Sequence, residues 1–413
     1  MRGVEIKALT GLRLIAAFWV VLFHFRPLLR EAAPDFSDAL APVLNCGAQG
    51  VDLFFILSGF VLTWNYLDRM GPSFSARATL HFLWLRLARV WPVYLVTLHL
   101  AALWIIFTLY VGHVPSLAVD QLNAVSYVRQ LLLVQLWFQP YFDGSSWDGP
   151  AWSISAEWLA YLLFAPLVLV IFRISHATRA RSLTWLAVAA SLPPVLLLLS
   201  SGQFYTPWSW LPRIVMQFTA GALVAAAVGR LRPTDRARRW AGYVSVLLIG
   251  AIVGLMYVLH AHPLPDVYDS GGLVDVLFVP LVMTLAIGVG SLPRLLSTRV
   301  MIFGGQVSFC LYMVHELVHT AWVWAAEQFQ LTLAGSWGKL LVAGLLAFAF
   351  GAAILLFHFV EEPARRWMRA MMYAREAIDP RSRRANAAVN GKLHPIDGAL
   401  EDTGSKAMSA RAG

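Results

Sequence analysis

Three sets of residues in this 413-residue chain have types and spacing suited to chemistry. The first is H-E-x-x-H, at His315, Glu316 and His319. On a helix, two histidines four apart share a face and can grip zinc, with the glutamate as general base. The motif sits in an apolar run, as it would in an intramembrane metalloprotease. That chemistry also needs a third ligand and a water-accessible cavity. The apolar stretch that follows, KLLVAGLLAFAFGAAILLFHF, contains no aspartate or glutamate, and neither His358 nor Glu327 is well placed. The zinc reading is therefore the weaker one.

The second set lies in apolar stretches that carry single charges. Arg13 and His24 are eleven residues apart, close to three helical turns. On a helix they share a face, about 16 Å apart along the axis. A neutral imidazole is a suitable base for a hydroxyl near neutral pH. The plainer reading has Arg13 snorkelling to headgroups and His24 bonding a nearby carbonyl. Asp52 follows Gly47 and Gly50 at the head of a very apolar run, where it would orient a histidine or cap a helix. Glu157 lies about two turns into GPAWSISAEWLAYLLF. A buried carboxylate must be paired or protonated, so it should face the bundle interior. A charge within a span is costly and marks a functional candidate. The third set is Arg86 and Arg89, three apart in FLWLRLARVWPVYL. They suit either bidentate phosphate binding or ordinary cytoplasmic-side charge. His262 and Asp266 spell the H-x-x-x-D of soluble CoA acyltransferases, but two prolines make that segment a rigid outer turn.

The elements that must hold these groups follow from composition. The chain is 59% hydrophobic and 13% charged. No soluble domain hides that much apolar surface, so the class is an all-α, polytopic membrane protein. Ten spans of about twenty residues fall near 8–29, 50–67, 89–111, 151–172, 183–200, 209–228, 240–260, 272–291, 302–325 and 338–360. One set of loops gathers most of the basic residues, from Arg2 and Lys7 to Arg375. The opposite set holds Arg26, Arg30, Arg129 and Lys339. This asymmetry predicts both termini in the cytoplasm and leaves Arg13 and Arg213 inside spans. The net charge of +9 is scattered over short loops, which argues against a nucleic-acid partner. Only Lys7, Lys339, Lys392 and Lys406 are lysines, an arginine bias that fits a GC-rich bacterial genome. Cys46 and Cys310 do not imply a disulfide. The first apolar run is long and lacks a small-residue cleavage site, so it should remain as a span. Residues 368–413 read as a disordered cytoplasmic tail after a membrane domain of residues 1–367. In the long outer loop, 126–138 predicts a helix lying on the membrane. The aromatics from Trp137 to Trp152 then form an interfacial belt or a platform for a sugar. A transporter or flippase of a glycolipid or small solute is the other class. It lacks the internal repeats and broken helices expected of one.

The motifs occur in an order that resembles the bacterial membrane acyltransferase-3 family. The R-x10-H pair is Arg13 and His24; the GxxGVDLFFxLSGF block runs from Gly47 to Phe60. R-x-x-R-x-x-P-x-Y is Arg86, Arg89, Pro92 and Tyr94; WS-x-x-x-E is Trp152, Ser153 and Glu157. S-x-x-L-Y-x-x-H is Ser308, Leu311, Tyr312 and His315, and the final E-x-P uses Glu361 or Glu362 with Pro363. The resemblance covers residues 8–367. It implies an integral bacterial inner-membrane enzyme that moves an acyl group, acetyl by default, from cytoplasmic acyl-CoA. The implied acceptor is a hydroxyl of a carbohydrate, glycolipid or exported metabolite. Acyl-CoA is then a donor substrate, with no tightly bound cofactor and no metal. Arg13, Arg86 and Arg89 would meet the phosphates and His24 would be the base. Glu157 or Asp52 would orient His24. His315, with Tyr312, would bind the acceptor or polarise the thioester, beside Trp152 and Ser153. Two features depart from the family: Trp158 follows Glu157 where an acidic or polar residue is common, and no esterase-like domain follows the spans. Glu316 and His319 lie outside the family's pattern, which makes His319 a bystander.

Overall fold

A computed structural model of the chain describes residues 5–112 and 122–378. Arg2, residues 113–121 of the long loop and residues 379–413 of the tail lie outside the described residues. The described residues are mostly helical and contain no β-strand. Ten stretches are long and apolar enough to cross a membrane. They match the ten expected spans one for one.

The first span is α1 (Lys7–Ala32), followed by α2 (Pro34–Asn45), a 3-10 turn at Gly47–Gln49 and α3 (Gly50–Met70). Then come α4 (Ala76–Tyr110), α5 (Ala124–Leu131), α6 (Trp152–Ala177), α7 (Ala180–Ser201), α8 (Trp210–Arg230) and α9 (Asp235–Ala261). A 3-10 stretch, Ser270–Leu277, leads into α10 (Phe278–Ile287) and the short α11 (Ser291–Leu296). The series closes with α12 (Arg299–Phe329), α13 (Gly335–Leu356), a π-helical turn at Phe357–Glu361 and α14 (Glu362–Ile378). The chain divides into two compact units, Met1–Glu362 and Pro363–Gly413. The site lies in the first.

Local chemistry sets the helix ends. Ser75 and Thr234 accept from Ala78 and Ala237 amides and so cap α4 and α9. Gly202, at φ 71°, closes α7 in the left-handed conformation. Two differences from expectation stand out. The surface helix expected at 126–138 stops at Leu131, because Leu133 takes a left-handed backbone (φ 61°). Its Gln130 turns inward: it is fully buried and its Oε1 accepts from the Trp147 amide. The second difference is that α14 carries helix past Trp367 to Ile378, into the stretch assigned to a disordered tail. The sequence RRWMRAMMYAREA there is rich in strong helix formers.

Glycines let two helix pairs close tightly. A Cβ on Gly59 of α3 would sit 1.9 Å from the Phe218 carbonyl of α8, and one on Gly221 would sit 1.9 Å from the Ile56 carbonyl. Only small residues permit such backbone contact between membrane helices. Gly305 of α12 meets the Thr10 carbonyl of α1 in the same way, again at 1.9 Å. This second contact aligns the helix bearing Arg13 and His24 with the helix bearing His315.

Candidate active site

At one end of the α1–α12 pair the two histidines meet. His315 is fully buried, and its Nδ1 lies 2.7 Å from the Tyr312 carbonyl. A carbonyl only accepts, so Nδ1 of the neutral ring carries the proton and Nε2 keeps its lone pair. His24 Nδ1 lies 3.2 Å from that Nε2 and 2.9 Å from the Val20 carbonyl. Both neighbours are acceptors, so the His24 proton sits on Nδ1 and its Nε2 is the free base. Glu316 Oε2 is 4.0 Å from His24 Nε2 and has no hydrogen-bond partner among the described residues. His24 and Glu316 line a cavity of about 420 Å³, together with Phe142, Trp152, Arg213 and Tyr312.

A second cavity, of about 130 Å³, is lined by Arg13, Arg86, Arg89, Ser58, Glu157 and Tyr161. Arg89 is ion-paired with Glu361, which is fully buried and projects from the π-helical turn. Such turns re-aim a side chain within a helix and often mark functional positions. The Cys310 thiol also donates to Glu361, at 3.3 Å. Glu157 accepts from the Ser58 hydroxyl at 2.5 Å. The Arg86 Nε is buried without an acceptor among the described residues, and its guanidinium lies 5.9 Å from the rings of both Tyr66 and Phe82.

A thin wall separates the two cavities. The Ser153 and Tyr312 hydroxyls lie 2.8 Å apart, and both reach the Pro150 carbonyl, at 3.0 and 3.1 Å. Tyr312 and Val51 line both chambers.

Residues 6–360 match the family model described as an acyltransferase domain, the acyltransferase-3 model. The chain belongs to the acyltransferase-3 family. It is 29% identical to Acyltransferase MdmB of Streptomyces mycarofaciens, over 92% of this chain and 96% of that relative. It is also 30% identical to Protein 2 in picA locus of Rhizobium radiobacter, over 48% of this chain and 94% of that relative. No solved structure matches the chain. With its ten apolar helices, the protein is a multi-pass membrane acyltransferase.

In this acyltransferase the expected site residues fall into two groups. Arg13, Arg86, Arg89 and Glu157 line the smaller cavity; His24 and Trp152 line the larger. Ser153 and Tyr312 form the wall, and His315 sits behind His24. The carboxylates differ from the roles assigned by sequence. Asp52 is held by Arg213, with Nε–Oδ1 at 3.1 Å and Nη2–Oδ2 at 2.6 Å, both side chains buried. Glu157 is held by Ser58. The carboxylate beside His24 is Glu316, from the zinc-like spelling. Of the two glutamates offered for E-x-P, Glu361 faces the arginines, while Glu362 lies 3.8 Å from His358.

Sequence reasoning passed over Glu316 and Arg213. For Arg213 the signal existed, since it is a charge inside a span. Glu316 was hidden because its motif pointed to a different chemistry. His319, expected to be a bystander, has its Nδ1 3.6 Å from Glu316 Oε1 and its ring tilted against Phe25, with centroids 5.4 Å apart. The aromatic segment splits. Phe142 and Trp152 pack as a tilted pair with centroids 4.5 Å apart in the larger cavity, Trp137 donates to the Ser155 carbonyl, and Tyr141 is exposed. Candidate ligand atoms of His24, His315 and Glu316 lie within 4.8 Å of one another, close enough to hold a metal ion. The third group that the downstream sequence lacked comes from α1.

Proposed function

We propose that this acyltransferase moves an acyl group, acetyl as the simplest case, from cytoplasmic acyl-CoA to a hydroxyl of a carbohydrate, glycolipid or exported metabolite. His24 is the general base. The observation that carries this reading is the proton arrangement of the histidine pair. With its proton on Nδ1 shared between Val20 and His315, His24 offers an unprotonated Nε2 beside the larger cavity.

In the reaction, Nε2 takes the acceptor hydroxyl proton as the oxygen bonds the thioester carbon. The tetrahedral intermediate collapses, the C–S bond breaks, and the thiolate leaves with the proton returned by His24. The products are an ester and free CoA. Glu316 stands where it stabilises the imidazolium formed in between, as the acid does in a triad. His315 fixes the tautomer of His24. The smaller cavity holds the donor end, with Arg13 and Arg86 as cations for its phosphates and Arg89 as a third, ion-paired to Glu361. The Ser153–Tyr312 wall opens to join the thioester to the acceptor. The enzyme lies in a bacterial inner membrane with the arginine end toward the cytoplasm, where CoA is found. The residues beyond Ile378 form a cytoplasmic tail.

The test is transfer from radiolabelled acetyl-CoA in membrane vesicles, with mass spectrometry of surface glycans, lipids and secreted metabolites from a deletion strain. The deletion strain is expected to lack one acyl mass, and His24→Ala vesicles to lose transfer. Wild-type transfer by His24→Ala, with Arg13→Ala inactive, would refute the base assignment.

A further inference from the structure

A third cavity, of about 370 Å³, adjoins the histidine cavity and shares Phe23 and Tyr205 with it. Its wall includes Asn45 and Cys46 from the end of α2, Gln49 from the 3-10 turn, His260 from α9, and Asp269. Gln49 is only 3% exposed, yet its carbonyl Oε1 has no hydrogen-bond partner among the described residues. A buried amide oxygen left unpaired is costly, and such groups call for a partner. An O–H from a bound molecule would supply it.

The wall also indicates what that molecule is. Arg26 is its arginine, and that guanidinium is already engaged: Nη1 donates to the Phe23 carbonyl at 2.7 Å and the group lies 3.9 Å over the Phe23 ring. Asp269 accepts from the Phe204 amide at 3.2 Å and adds a negative charge, which disfavours an anionic guest. The Asn45 and Gln49 amides, the His260 ring and the Asp269 carboxylate offer both donors and acceptors. Tyr205 presents an aromatic ring between the two chambers. This mixture suits a neutral, polyhydroxylated ring rather than an acyl chain or a phosphate.

We propose that this cavity is a second acceptor subsite, which binds a sugar ring adjoining the group acylated beside His24. The acceptor is then a glycoside of at least two linked rings, spanning both chambers. The inference rests on the proposed reading that the acceptor occupies the histidine cavity.

The cavity contains its own reporter. Cys46 lies half-buried in its wall, whereas Cys310, the other cysteine, is fully buried. N-Ethylmaleimide applied to the full-length protein in vesicles should label Cys46, with Cys46→Ser as the blank. The probe is the glycoside fraction extracted from a deletion strain. That fraction should slow labelling at least threefold, whereas methyl glucoside at equal concentration should not. In transfer assays, Gln49→Leu and the rim variant His260→Ala should each raise the KM for the fraction about fivefold to tenfold. The kcat and the acetyl-CoA KM should stay unchanged. If the wild type acylates the fraction, unprotected Cys46 and unchanged KM values in both variants overturn the subsite. If the wild type transfers nothing while Cys46 is still protected, the acyl-transfer reading falls and the subsite stands. Should Gln49→Leu fail to fold, His260→Ala and the labelling decide the matter.

Discussion

The two cavities along α1 handle charge in opposite ways. The arginine cavity is lined by permanent cations, one of them paired with buried Glu361 and the others, Arg13 and Arg86, turned to the chamber. The histidine cavity is lined by the His24 imidazole, the Glu316 and Asp143 carboxylates and aromatic rings, and its one arginine, Arg213, is locked to Asp52. Fixed charge suits anchoring, because a guanidinium stays ionised whatever happens beside it. Proton transfer needs a group that can change its charge, and it gains from having few fixed charges nearby. One helix supplies both, because its Arg13 and His24 stand about three turns apart on one face. The Ser153–Tyr312 contact stands between the two environments.

The sharpest way to break this comparison is to remove one chemical group from each side. His24→Ala should lower the transfer rate about 10²- to 10⁴-fold with the acyl-CoA KM unchanged, measured in vesicles with labelled donor. Arg86→Ala should do the reverse, raising the acyl-CoA KM about tenfold to a hundredfold with a smaller change in kcat. An Arg86→Ala enzyme with normal donor KM but altered acceptor KM would mean that the cavities have been assigned the wrong substrates.

Next in size is the buried ion pair between Asp52 and Arg213. Asp52→Ala leaves a buried guanidinium without its partner and should destabilise the fold by about 3–5 kcal/mol. The double variant Asp52→Ala, Arg213→Leu should recover much of that loss in a detergent unfolding assay. If it does not, Asp52 has a further role within the cavity. Glu316→Gln removes the charge beside His24 and should slow transfer about fivefold to tenfold, with the acyl-CoA KM unchanged. Equal activity in Glu316→Gln would remove Glu316 from the site.

The last prediction concerns Asp148, in the loop before α6. Burial pushes its carboxyl up to about 7, and the neighbouring Glu316 pushes the same way. A carboxyl with a raised folded pKa favours the fold while protonated, and that contribution is lost as pH rises from about 4 to about 7. Asp148→Asn should therefore unfold at a higher temperature than the wild type at pH 8, with the gap closing toward pH 4. A gap that widens in acid would contradict the buried, protonated assignment.

The sequence by itself determined the number of spans. Each apolar run must be long enough to cross a bilayer, and that requirement is readable from length and composition alone. It also determined that Arg13 and His24 share a face, because helical periodicity is local. The resemblance to the family held over nearly the whole chain. Its motif residues do gather around two cavities, yet the pairing of charges was not legible. His24 and His315 are 291 residues apart in sequence, Arg89 and Glu361 272, and Asp52 and Arg213 161. A carboxylate in a span must find a partner, but which partner depends on the faces that adjoining helices present. Close approaches at Gly59, Gly221 and Gly305 set those faces. They left Asp52 to Arg213, Glu157 to Ser58 and Glu361 to Arg89. The tertiary structure alone decided that the stretch LYMVHELVHTAW would bring Glu316, as well as His315, to the side of His24. A desolvated charge is settled by the groups within a few ångströms of it, and only packing determines which groups those are.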